Sequence, residues 1–132
     1  MTDVFAKDQY VARRRFTGAN GQSTEKADFA LPNAIDPLIL IEVKAYGATG
    51  SKQTDVLGDI SRIVEEKRHD TLFLLFTDGV AWRERANDLR KLVGLQNSGK
   101  IFKIYTQSMA TEFSVDLREL GMEFGLLNRS TS

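Results

Sequence analysis

Residues 38–41, Leu-Ile-Leu-Ile, run directly into Glu42-Val43-Lys44. Alternate side chains of an extended strand share a face, so Leu38, Leu40, Glu42 and Lys44 point one way and Ile39, Ile41 and Val43 the other. The first half of this stretch is apolar on both faces. Such a strand needs cover on both sides, which places it in the middle of a sheet with helices packed against it. The stretch 38–46 is therefore expected to be a central strand, and an α/β domain satisfies it. Glu42 and Lys44 form a charged end on an otherwise apolar face. An exposed ion pair contributes little to stability, so their placement calls for a chemical reason.

The flanking sequence supplies the rest of the sheet. Residues 10–16, YVARRRF, read as a strand around an arginine run. Thr17 to Gly21 is a turn cluster, and residues 25–31, EKADFAL, read as the return strand of a hairpin. Pro32-Asn33 stops that strand, and Asp36-Pro37 makes a second turn, the simplest role for Asp36. Gly47 to Gly50 breaks the central strand. Ser51 or Thr54 can cap a following helix over 53–68, where Val56, Leu57, Ile60, Ile63 and Val64 recur at helical spacing. Residues 71–77, TLFLLFT, form another buried strand, ended by Asp78-Gly79. A helix over 82–93 would turn Ala86, Leu89, Leu92 and Val93 inward. The turn Asn97-Ser98-Gly99 leads to a strand over 100–106, a helix over 109–120 and a polar tail after Leu127. The order β-β-β-α-β-α-β-α describes a mixed sheet with helical crossovers.

Several function classes are excluded by composition. There is no cysteine, so neither a disulfide framework nor a thiolate metal site can form, which fits a reducing, intracellular compartment. With His69 the single histidine, a multi-histidine metal site is excluded as well. Lys plus Arg and Asp plus Glu number 18 each, so no bulk positive charge draws nucleic acid. Any such attraction must be local, and Arg13 and Arg15, on one face of the first strand, are candidates. Met1-Thr2-Asp3-Val4 has no basic n-region and no apolar h-region, so no secretion signal is expected, and no apolar run approaches a membrane span. The 132 residues suffice for one domain with one core. Gly47-Ala48-Thr49-Gly50-Ser51-Lys52 lacks the spacing of a nucleotide-binding phosphate loop.

Strand alternation puts Asp28 on one face with Lys26 and Ala30. If the strands 25–31 and 38–46 are antiparallel neighbours, Asp28 lies beside Glu42 and Lys44. Two carboxylates held close repel each other unless a cation lies between them. Hard oxygen ligands suit Mg²⁺, which takes few protein ligands and keeps several waters. A metal there lowers the pKa of bound water and offsets charge on a phosphate. Lys44 can hold or help deprotonate an attacking water and stabilise developing charge. The chemistry expected is metal-assisted phosphodiester hydrolysis.

The spacing of Asp28 and Glu42-Val43-Lys44, on a hairpin, an apolar strand and a turn into a helix, resembles the PD-(D/E)XK nuclease superfamily. The segments ADFAL, LILIEVKAYGATGSK and LFTDGVAW, in that order, look like the DpnII/MboI-like type II restriction endonucleases. The matching turns are Gly50-Ser51-Lys52 and Thr77-Asp78-Gly79-Val80-Ala81-Trp82. Ala27 stands where the superfamily usually has proline, and only about nine residues precede the first strand, too few for most of its N-terminal helix. The resemblance implies a restriction-endonuclease-like mixed β-sheet flanked by helices, one domain over 1–132, minimal or truncated. It implies a DNA endonuclease with Asp28, Glu42 and Lys44 as the catalytic set. Asp28, Glu42 and the Val43 carbonyl would hold Mg²⁺, for which Mn²⁺ can substitute. Ser51, Lys52 and Gln53 would lie near the metal or the scissile phosphate, and Arg13 and Arg15 would track the DNA backbone. A double-strand cut implies a homodimer or a partner subunit. The alternatives are a Holliday-junction resolvase or repair nuclease reading DNA shape, and a non-catalytic DNA-binding or assembly module of the same fold.

Overall fold

The computed structural model describes residue 5 and residues 9–22, 25–44, 56–77 and 86–126; the side chains at 44, 56–57 and 86–89 lie outside that description. Among the described residues, five strands and three α-helices follow one another as β1 (Val11–Arg15), β2 (Lys26–Leu31), β3 (Ile39–Lys44), α1 (Val56–Glu66), β4 (Leu72–Thr77), α2 (Ala86–Asn97), β5 (Lys103–Tyr105) and α3 (Ala110–Glu123). The strands form one mixed sheet in chain order. β1, β2 and β3 are antiparallel, whereas β3, β4 and β5 are parallel. The α/β class and the order of elements are those expected.

The central position of β3 follows from its composition. Leu40 is buried against α1 and α2 with Ile60, Ile63, Phe73, Leu75 and Leu92. Ile39 and Ile41 are buried on the other face, with Leu74, Tyr105, Leu117 and Leu120. Full burial of each such aliphatic side chain is worth roughly 1.5–3 kcal/mol. The helices present matching stripes: Ile60, Ile63 and Val64 on α1, and Phe113, Leu117 and Leu120 on α3, each at spacings of three or four. Phe113 seats α3 by edge contacts to Phe76 and Tyr105, with ring centroids 5.2 and 5.0 Å apart.

Two connections require glycine. The β1–β2 turn leans on the end of α1, where the Ala19 N–H donates to the Glu66 carbonyl at 2.8 Å. A Cβ on Gly18 would stand 2.3 Å from that carbonyl oxygen. After α3, Gly125 has φ 75°. Leu126 and Gly125 donate back to Gly121 and Met122, closing the helix as a Schellman turn.

The structure corrects several expectations. Leu38 lies before β3 and packs with Ile39 and Ile41 rather than on the Leu40 face. Val93 is 38% exposed, and Leu95 packs inward instead. β5 is shorter than expected, α1 ends at Glu66, and α3 runs on to Glu123 after a 3-10 turn over Gln107–Met109. Asp36 does not make the second turn. Asn33 accepts from the N–H groups of Ile35 and Asp36, while the Asp36 carboxylate pairs with Arg68 at 2.6 Å. The expected shared face of Lys26, Asp28 and Ala30 also fails. Ala27, not Lys26, is buried in the same cluster as Ala30, so the alternation of β2 breaks between residues 27 and 30.

Candidate active site

That break lies where β2 meets the charged end of β3. Phe29 pairs with Ile41, and the regular register between the two strands stops there. One residue further along, side chains replace the backbone ladder. The Asp28 N–H donates to Glu42 Oε1 at 2.8 Å. The Val43 N–H donates to Asp28 Oδ2 at 2.7 Å. Each strand thus holds the other's carboxylate on a main-chain donor, and Asp28 and Glu42 are brought together. The arrangement gathers both carboxyl groups at one point of the sheet. Glu42 is only 5% exposed, on a strand whose preceding residues are fully buried.

On the β4 side β3 stays in register, with Glu42 opposite Leu75 and Lys44 opposite Thr77. The Lys44 backbone therefore ends β3 beside the carboxylates, and its side chain lies outside the described residues. So do Ser51, Lys52, Gln53 and most of the Thr77–Trp82 turn, apart from Thr77, which is buried.

Asp28 and Glu42 line a cleft of about 500 Å³ together with Arg13, Arg15, Asp59 and Arg62. Asp28 and Arg13 also line a second hollow of about 490 Å³, with Val43. The two arginines expected to share a face therefore do share the carboxylate cleft. Arg62 and Asp59 were not foreseen. Arg62 pairs with Asp59 one turn earlier on α1 and reaches Glu25, just before β2, at 3.5 Å. The spacing of Asp59 and Arg62 is visible in sequence, but only the packing of α1 beside β2 turns that pair into a wall of the cleft.

The Asp28 and Glu42 carboxylates offer oxygen ligands, a set that matches a hard divalent cation. Among the described residues, no three His, Cys, Asp or Glu side chains converge to hold a metal. Within the described residues, such an ion would find the two carboxylates of Asp28 and Glu42. Mg²⁺, which takes few protein ligands and keeps several waters, is compatible with such a pair.

The family model of the DpnII restriction endonuclease matches residues 6–113. The chain belongs to the DpnII restriction endonuclease family. No curated protein and no solved structure matches it. Membership places a DNA endonuclease on this restriction-endonuclease-like domain, and the matched span contains every described strand and the residues that line the carboxylate cleft. No helix among the described residues of this DpnII-family chain is long and apolar enough to cross a membrane.

Proposed function

We propose that this DpnII-family endonuclease hydrolyses DNA phosphodiesters with Mg²⁺ held by Asp28, Glu42 and the Val43 carbonyl. The observation that carries this reading is the reciprocal pair of hydrogen bonds, Asp28 N–H to Glu42 and Val43 N–H to Asp28. In extended backbone a residue's N–H and C=O point to the same side, so the Val43 carbonyl would turn toward the Asp28 edge. When bound, the ion would acidify a water and offset charge on the phosphate.

The remaining roles fall to the chain's own groups. Asp28 and Glu42, fixed by main-chain donors, are pre-oriented and need little reorganisation. Lys44, two residues beyond Glu42 on the same strand, would orient the attacking water and stabilise charge building on the phosphoryl oxygens. Arg13 and Arg15 line the cleft and would contact the DNA backbone, providing the local positive charge that the balanced total lacks. Ser51, Lys52 and Gln53 would lie near the scissile phosphate. One such site cuts one strand, so a double-strand break would take a homodimer or a second subunit, and the cysteine-free chain suits a reducing, intracellular setting.

Nicking of supercoiled plasmid tests the proposal. Cleavage is expected with Mg²⁺ or Mn²⁺, to be stopped by chelation, and to be lost in Glu42→Ala and Lys44→Ala. Wild-type cleavage that neither substitution reduces would remove the site assignment. Preference for branched over linear DNA would favour a resolvase or repair role, and DNA binding without cutting would favour a non-catalytic module. Gel filtration without DNA reads the oligomeric state.

A further inference from the structure

Arg13 is the one non-glycine residue among those described with a left-handed backbone, at φ 54°. An L-residue in that region carries a steric cost that glycine avoids. The register shows where the strain falls. Ala12 pairs with Phe29 and Arg14 with Ala27, so Arg13 stands opposite Asp28. Both pairs belong to one register, so no residue is inserted and the irregularity is not a bulge. β1 turns left-handed and recovers within a single residue.

Its partner across the strands is irregular too. In a regular antiparallel sheet a middle-strand N–H finds a carbonyl on a neighbouring strand. The Asp28 N–H instead goes to the Glu42 carboxylate. A side chain takes that donor, and the left-handed residue lies directly opposite on β1. Strain of this kind persists where the surroundings hold it and concentrates at functional sites.

We infer that the left-handed backbone at residue 13 is a positioning device, withdrawing β1 from Asp28 so that the Asp28 N–H holds the Glu42 carboxylate beside Asp28. Arginine occupies a place that glycine would fill at lower cost because its side chain also lines the cleft. The consequence for metal binding and cleavage rests on the nuclease reading above; the geometric consequence does not.

Two substitutions separate backbone from side chain. Arg13→Gly removes the guanidinium and keeps the left-handed turn easy. Arg13→Val removes the guanidinium and penalises the turn, because a β-branched residue strongly disfavours φ > 0. Both variants lack the guanidinium, so they are compared with each other: Mn²⁺ binding measured by calorimetry is expected to be at least tenfold weaker in Arg13→Val than in Arg13→Gly. Equal binding in the two variants would overturn the inference. Amide exchange at Asp28, followed by NMR, gives a readout independent of metal and DNA. Adding Glu42→Ala is expected to speed this exchange at least tenfold in the wild-type and Arg13→Gly backgrounds and to leave it unchanged in Arg13→Val. The same acceleration in Arg13→Val would overturn the inference. A wild-type protein that neither binds Mn²⁺ nor cuts DNA would sink the nuclease reading, and the exchange experiment would still decide the role of residue 13.

Discussion

The row Ala12–Phe29–Ile41–Leu74–Lys103 crosses all five strands in register. The next row, Arg13–Asp28–Glu42–Leu75–Ile104, keeps its register only on the parallel side, where Glu42 meets Leu75 and Leu75 meets Ile104. On the antiparallel side Arg13 is left-handed, and Asp28 and Glu42 exchange side chain for backbone. The two rows are separated by a single strand residue, about 3.3 Å. The first is a packing row, with Ile41 and Leu74 buried together. The second is a polar row set against the same scaffold. A row with a buried centre at Ile41 and Leu74 thus stands beside one in which the ladder is broken. Functional sites are where local rules are expected to fail while the surroundings remain consistent.

The comparison breaks most easily at Glu42. Glu42→Gln keeps an oxygen that can accept from the Asp28 N–H but removes the charge. Plasmid cleavage is expected to fall about 10³-fold, or about 4 kcal/mol in the transition state, with little change in the thermal midpoint. One row deeper, Ile41→Ala should do the opposite. Emptying that fully buried position is expected to cost about 2–5 kcal/mol of stability in denaturant unfolding. Cleavage measured well below the new midpoint should stay within about threefold of wild type, a shift below 1 kcal/mol. If Ile41→Ala cuts activity as deeply as Glu42→Gln while the protein is folded, the two rows do not divide labour as described.

The packing row was legible and the polar row only in part, for a physical reason. Runs such as Ile39–Ile41 and Leu72–Phe76 have no polar alternative, so their pattern alone implies a doubly covered parallel core. Asp28 and Glu42 could be placed as neighbours because hairpin order and strand alternation suffice for that. Alternation itself misleads at Lys26 and Ala27, because the rule assumes an unbroken ladder, and the ladder breaks where the carboxylates replace backbone partners. Nothing in the run Arg13-Arg14-Arg15 marks its first member as left-handed. Arg62 was invisible because its reach to Glu25 depends on how α1 docks, a tertiary fact. Val93 looked inward on helical spacing, yet α2 is rotated enough that Leu92 and Leu95 take the core side.

The docking of α1 offers a smaller and sharper test of what holds the polar row in place. Gly18 lets the hairpin turn close onto the Glu66 carbonyl, which ties the β1–β2 unit to the helix carrying Asp59 and Arg62. Gly18→Ala is expected to cost about 1–3 kcal/mol, as overpacking against backbone does, read as a lowered thermal midpoint. If this turn also sets the pose of β1, cleavage by the folded variant should fall further than Ile41→Ala makes it fall.

The smallest expected effect comes from a polar group on the packing side of the sheet, which the polar row does not reach. The Tyr105 hydroxyl donates to Asp116 at 2.8 Å, and Lys103 bonds the same carboxylate at 3.2 Å and Glu112 at 2.5 Å. Burial first, and then the hydrogen bond to Asp116, pushes the Tyr105 hydroxyl above its ordinary value of 10.0. Lys103 is also raised, chiefly by its bond to Glu112. For both groups the folded chain keeps a proton that the unfolded chain releases near pH 10, so the stabilisation is complete below that pH and is lost as pH rises above it. For Tyr105 the loss cannot exceed about 1.4 kcal/mol per pH unit. Denaturant unfolding between pH 9 and 11 should therefore fall less steeply in Tyr105→Phe than in wild type, while the substitution costs about 1 kcal/mol at pH 7 for the lost bond to Asp116. Equal alkaline slopes would mean that Tyr105 is not held by this cluster. Cleavage at neutral pH should not change, because the hydroxyl serves the α3 side of the core, whereas the carboxylate cleft opens beside α1.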